Sequence, residues 1–152
     1  MRVDLHLHTT ASDGAWTPQA VVQGAVDGRL DVIAITDHDT MAGYGPAAAA
    51  AEKLPIQIIR GIEVSSTHEG QDVHILGYFV DPESLALIAH CERAGNRRVE
   101  RMQEMVAKLV EGGLEVTYGD VLKAAGPDHV SIGRPHLARA LVELGHVSTV
   151  SS

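Results

Sequence analysis

The run DVIAITDHD at residues 31–39 decides how the rest of the chain is read. Four consecutive apolar residues, Val32 to Ile35, give way abruptly to Thr36, Asp37, His38 and Asp39. A strand buried on both faces reads as a continuous apolar run, and polar residues at its end mark the rim of a parallel sheet. Upstream, Arg2 to His8 alternates as a further strand. Thr17-Pro18 then supplies an N-cap and a first-turn proline for a helix through Ala25 that stops near Gly28. Downstream, an alanine-rich helix is expected from about Met41 to Lys53, broken by Gly45-Pro46 near its start. IQIIRGIEVSS (56–66) is a third strand, HEGQ (68–71) a turn, and DVHILGYFV (72–80) a fourth strand paired with the third as a hairpin. Three strands alternating with helices require right-handed crossovers, so the fold class is α/β with a parallel sheet or barrel.

The pattern changes after Asp81-Pro82. Leu85, Ile88, Val99, Met102, Val106 and Leu109 keep a helical period through one long helix ending at Gly112-Gly113. Two shorter helices are expected near Tyr118 to Ala125 and Arg134 to Leu144. The chain thus divides into an α/β part, residues 1–82, and a helical part, residues 83–152.

At 152 residues and 45% hydrophobic content the chain can bury one real core, and 3% aromatic content makes that core aliphatic. The net charge of −8 opposes broad attraction to a phosphate backbone, although bound divalent cations would reverse the sign locally. Cys91 is the single cysteine, which excludes a disulfide framework and fits a reducing compartment. No apolar stretch is long enough for a bilayer, and Arg2 leads into a strand, so a soluble cytoplasmic protein is expected.

Chemistry-bearing residues fall on every strand. His6 and His8 share one face of the first, about 7 Å apart at their backbones. Asp13 follows in a small-residue loop, Asp37 and His38 end the second strand, Glu63 ends the third, and His74 lies on the fourth. Surface histidines on an edge strand account for His6 and His8 alone. Six converging polar groups on apolar strands point instead to a metal site. Asp37 is expected to orient a ligand histidine, and Ser12, which has no base of its own, to serve the turn.

Four of these stretches, HLHTTASDG (6–14), AITDHDT (34–40), GIEVSS (61–66) and VHILGYF (73–79), resemble the successive motifs of the PHP (polymerase and histidinol phosphatase) family. The resemblance implies a distorted (β/α)₇ barrel, of which this chain holds the N-terminal strands plus a helical insertion. It also implies two or three divalent metal ions on His6, His8, Asp13, His38, Glu63 and His74, with Glu63 bridging two of them. Manganese, iron and zinc suit that donor set, with magnesium as a further candidate. Asp13 and His38 are additionally expected to act in catalysis. GRPHLA (133–138) and the arginine-bearing long helix resemble the branch that dephosphorylates nucleoside 3′,5′-bisphosphates and trims short RNA from its 5′ end.

Candidate substrate contacts come from the helical part. Arg93, Arg97 and Arg101 form one stripe with Arg98 beside it, a face that either holds an anion or is solvated and balanced by Glu92, Glu100 and Glu104. Arg134 stands at a helix start, where free N–H groups favour phosphate. The resemblance raises Arg101 and Arg134 as phosphate contacts. His136 either touches substrate or packs behind Arg134, while His68, His90, His129 and His146 are expected to be surface residues. The family's later histidine strand and Asp-x-His pair are not found here. An incomplete site, an open sheet edge, weak activity and association with itself or with a complementing C-terminal segment are therefore expected. The expected function is metal-dependent hydrolysis of phosphate esters of nucleotides or short RNA by a metal-activated water. A histidinol-phosphate-type phosphatase and a non-catalytic metal- or nucleotide-binding module are the alternatives.

Overall fold

In this computed structural model, residues 1–127, 129 and 131–150 are described. The order is β1 (Val3–Leu7), α1 (Pro18–Asp27), β2 (Val32–Ile35), α2 (Tyr44–Ala51), β3 (Gln57–His68), β4 (Gln71–Tyr78), α3 (Leu85–Glu111), α4 (Tyr118–Ala125) and α5 (Arg134–Glu143). One four-stranded sheet has the order β1-β2-β3-β4, with β1, β2 and β3 parallel and β4 antiparallel to β3. The hairpin closes through Glu69 and Gly70, both at positive φ, the backbone a tight two-residue turn requires. The sheet curls as a partial barrel, so that the Tyr78 hydroxyl on β4 donates to the Leu5 carbonyl of β1 at 3.0 Å.

Two cores hold this arrangement. Val21, Val22 and Ala25 of α1 and Ala47 and Ala51 of α2 pack with Ile33 and Ile35 of β2. The Thr17 side chain accepts from Ala20 N, so the expected cap starts α1. Met102 and Val106 of α3 meet Val121 and Ala124 of α4 and Leu137 and Ala140 of α5 in the second core. Among the described residues no helix is long and apolar enough to cross a membrane.

Two expectations about element bounds need correction. Gly45-Pro46 does not break α2: it lies inside the first turn, where a missing N–H costs nothing, and the helix simply starts later and ends sooner than Met41–Lys53. Glu63 does not end its strand either. Pairing with β4 carries β3 on to His68, so Glu63, which bridges His38 at the end of the parallel pairing, also lies inside a hairpin with His74.

Candidate metal centre

The β1–β2–β3 register brings the side chains of the first three motifs together. His38 forms a bridge pair with Glu63, whose N–H donates to Asp37 O while Asp39 N–H donates to Glu63 O. The backbone after β2 is thereby pinned beside the middle of β3. On the hairpin, His74 lies opposite Ser65 and Glu63 opposite Leu76, so His74 and Glu63 are diagonal neighbours on one face.

The result is three overlapping groups: His6, His8 and Glu63; His8, Asp13 and His38; His38, Glu63 and His74. In each, one donor atom per residue lies within 4.8 Å of the others. Glu63 belongs to two of the groups. Its Oε2 is 2.7 Å from His6 Nε2 and 2.9 Å from His8 Nε2, and its Oε1 contacts His74 Nδ1. Asp13 Oδ1 is 3.0 Å from His8 Nδ1, and Asp13 Oδ2 is 3.6 Å from His38 Nε2. Glu63 and His38 are largely buried, while His6 and His74 are about half exposed, so the cluster opens to solvent at those two residues.

The electrostatics call for positive charge here. Burial works against charge on His8, yet the Asp13 hydrogen bond and the charges of Asp13, Glu63 and Asp37 outweigh it and raise its pKa. Burial likewise opposes charge on Asp13, but the His8 hydrogen bond and the charges of His38, His8 and Arg98 hold its carboxyl down at about 2. Burial also opposes charge on Glu63, but hydrogen bonds with His6 and His74 and the charges of His38 and His8 lower its pKa. For His38 burial wins, and its pKa falls. The donor set fits divalent ions: imidazoles and carboxylates converge, and the buried Nδ1 of His38 has no hydrogen-bond partner among the described residues.

The supporting residues depart from expectation. Asp37 does not orient a ligand histidine. Fully buried, it accepts hydrogen bonds from Thr9 N–H at 2.7 Å, the Thr9 hydroxyl at 2.8 Å and the Ser12 hydroxyl at 2.7 Å. The chain leaving β1 folds back over the end of β2, which points those donors at Asp37 and fixes the loop that carries Asp13. Gly43 closes over Asp37, where an added Cβ would lie 2.2 Å from Oδ2. Ser12 serves the turn as expected.

His90 and His129 are not simple surface residues. His90 Nε2 lies 3.0 Å from Asp39 Oδ1, and Arg98 donates to Asp39 Oδ2 at 2.6 Å and to the Ser65 hydroxyl at 3.1 Å. Asp39 sits at positive φ, and burial opposes its charge. Hydrogen bonds from Ser65 N–H, Arg98 and His90 nevertheless hold it down at about 2. This clamp ties α3 to the metal-site loop. Only the neighbouring arginine stripe was visible in the sequence, because 59 residues separate Asp39 from Arg98. Arg101 and Arg134 meet at a different carboxylate, with Asp72 Oδ2 3.5 Å from Arg101 and 3.8 Å from Arg134. All three side chains are more than half exposed, so these ion pairs are easily exchanged for another anion.

His136 is fully buried, and its Nδ1 accepts from Gly133 N–H at 2.9 Å. Burial, helped by the charges of His129 and Arg139, pushes its pKa from 6.5 down to about 4. An unfolded chain therefore binds a proton at this residue that the folded chain refuses, and stability falls as pH drops below 6.5. Between about pH 7.5 and 5 this single group is expected to remove about 2 kcal/mol of unfolding free energy. Urea titrations of the wild type and of His136→Asn, which keeps an acceptor but does not titrate, measure it. Equal pH losses in the two proteins would contradict the assignment.

A curled α/β sheet whose motif residues converge as overlapping histidine–carboxylate groups is an arrangement able to hold divalent metal ions. The family model for the PHP domain matches residues 4–95, and the chain belongs to that family. A 5′-3′ exoribonuclease from Haemophilus influenzae is 37% identical over 147 residues, spanning 97% of this chain and 53% of the relative. A 3′,5′-nucleoside bisphosphate phosphatase from Chromobacterium violaceum is 37% identical over 146 residues, spanning 95% of this chain and 50% of the relative. The chain thus spans about half the length of the curated relatives it matches. A solved structure from Chromobacterium violaceum, described as an amidohydrolase with bound sulfate and no metal, is 35% identical. It superposes with a TM-score of 0.90, covering 99% of this chain and 53% of that one.

Proposed function

We propose that the protein is a metal-dependent phosphoesterase that removes phosphate from nucleoside 3′,5′-bisphosphates or from the end of short RNA. The observation that carries this reading is the sharing of Glu63 between two three-residue donor groups, with a pair of arginines beside the same hairpin. His6, His8, Asp13, His38, Glu63 and His74 would hold two or three divalent ions, with manganese, iron or zinc suited to the mixed nitrogen and oxygen donors. Such ions, when bound, supply Lewis acidity and a water acidic enough to attack phosphorus at neutral pH. The chain does the rest. Glu63 and Asp13 hold negative charge at fixed positions, and proton transfer is assigned to His38 and Asp13, whose Nε2 and Oδ2 lie 3.6 Å apart. Arg101 and Arg134 would exchange Asp72 for a substrate phosphate, orienting the ester toward the histidine cluster.

The domain division follows the same reading. Residues 1–82 carry the metal groups, and residues 83–152 carry the arginines. Cys91 as a free thiol favours a cytoplasmic location. The β1 edge, paired only with β2 among the described residues and bearing exposed Val3 and Leu5, is the surface for association with a second copy or a complementing segment.

The test combines metal content by elemental analysis with phosphate release from adenosine 3′,5′-bisphosphate. Arg134→Ala is expected to raise KM about tenfold, the worth of one charge-assisted contact, with metal content unchanged. Absence of both metal and phosphate release in the protein would remove the reading, and an unchanged KM would remove Arg134 from it.

A further inference from the structure

His129 and His136 lie outside the metal groups, yet each ends on backbone that carries a site residue. Gly14, whose carbonyl lies 3.1 Å from His129 Nε2, directly follows Asp13. Gly133, whose N–H donates to His136 Nδ1 at 2.9 Å, directly precedes Arg134. A carbonyl only accepts, so His129 carries its proton on Nε2. An amide only donates to a ring nitrogen, so His136 keeps Nδ1 bare and carries its proton on Nε2. The remaining pair, the acceptor His129 Nδ1 and the donor His136 Nε2–H, are both buried and have no partner among the described residues. The two rings pack edge to face with centroids 4.4 Å apart. Gly133 itself sits against the metal loop, where an added Cβ would lie 3.4 Å from Asp13 Cβ. Two segments that share no secondary structure are thus joined by two imidazoles in contact.

We propose that His129 and His136 are positioning residues that clamp the Asp13 loop to the N-terminus of α5 and so fix the reach of Arg134 from the metal groups. A merely space-filling pair would need neither bond, and phenylalanine would serve as well. One ring donates to a backbone carbonyl and the other accepts from a backbone N–H, each beside a site residue, and phenylalanine supplies neither bond. The low pKa of His136 keeps the ring neutral, and its Nδ1 available, at physiological pH. This inference rests on the reading of Arg134 as a phosphate contact.

The test is a double-mutant cycle in the metal-loaded protein with adenosine 3′,5′-bisphosphate. His136→Phe keeps the ring volume and removes the acceptor. It is expected to raise KM three- to tenfold with kcat within twofold, metal content unchanged, and no further effect once Arg134 is alanine. His136→Asn, which places an acceptor oxygen near the position of Nδ1, is expected to restore KM to within twofold. His129→Phe provides an independent arm should His136→Phe fail to fold, with the same expected rise and the same loss of effect in Arg134→Ala. An unchanged KM in a folded variant, or an effect that persists undiminished in Arg134→Ala, would overturn the proposal while leaving the phosphate reading intact. If Arg134→Ala itself leaves KM unchanged, Arg134 is not a phosphate contact and the positioning role falls with it.

Discussion

Replacing Glu63 by glutamine is expected to produce the largest functional loss of any single substitution in this protein. Its two carboxylate oxygens touch three histidines, and its side chain is 5% exposed, so no solvent-borne ligand easily takes its place. Glutamine keeps the volume but removes the charge and leaves one amide oxygen as the only acceptor. Both donor groups that share Glu63 are broken at once. Loss of residues that merely support ligands typically costs 10–100-fold in metal affinity or activity, so at least about a hundredfold is expected here. Elemental analysis after gel filtration and phosphate release from adenosine 3′,5′-bisphosphate report the two effects separately. Full metal content with full turnover in Glu63→Gln would show that the carboxylate is not a ligand.

The largest loss of stability is expected from Asp37→Ala, a residue whose side chain hydrogen-bonds none of the six proposed ligands. Asp37 is 0% exposed and accepts three hydrogen bonds from Thr9 and Ser12. Alanine leaves those three donors buried with no acceptor, and each unsatisfied group costs about 1–3 kcal/mol. Partial relaxation of the loop makes about 3–5 kcal/mol a reasonable total, a large share of what a domain of this size has. Burial raises the Asp37 pKa, and the Ser12 and Thr9 hydrogen bonds pull against that rise. Urea unfolding of metal-free protein isolates the effect from metal binding. A loss below about 1 kcal/mol would mean that the loop is held by something other than Asp37.

Much of this was legible because local pattern and tertiary outcome agree. Val32–Ile35 is a continuous apolar run and becomes the most buried strand, and Thr17-Pro18 starts α1 as capping chemistry requires. The hairpin was legible from HEGQ because Glu69 and Gly70 take the left-handed backbone of a tight turn. The convergence of His6, His8, Asp13, His38, Glu63 and His74 followed from their places on successive strands. Glu63 sits beside His38 at the end of the parallel pairing, but β3 runs on beyond it, and His74 joins as its diagonal neighbour within the hairpin. What periodicity cannot reveal is pairing between distant polar side chains. Asp39 with Arg98, Arg101 with Arg134 at Asp72, and His129 with His136 each depend on how α3 and α5 lie against the sheet. The role of Asp37 is hidden for the same reason, since nothing in its spacing tells whether a buried carboxylate faces an imidazole or the preceding loop.

Anomalous scattering from crystals grown with manganese locates bound ions relative to Glu63, which is proposed to lie between two of them. At least two peaks are expected, each at ligand distance, about 2.0–2.3 Å, from a Glu63 oxygen. One peak would also touch His6 and His8, and another His38 and His74. A single peak away from Glu63, or none under conditions that support phosphate release, would contradict it.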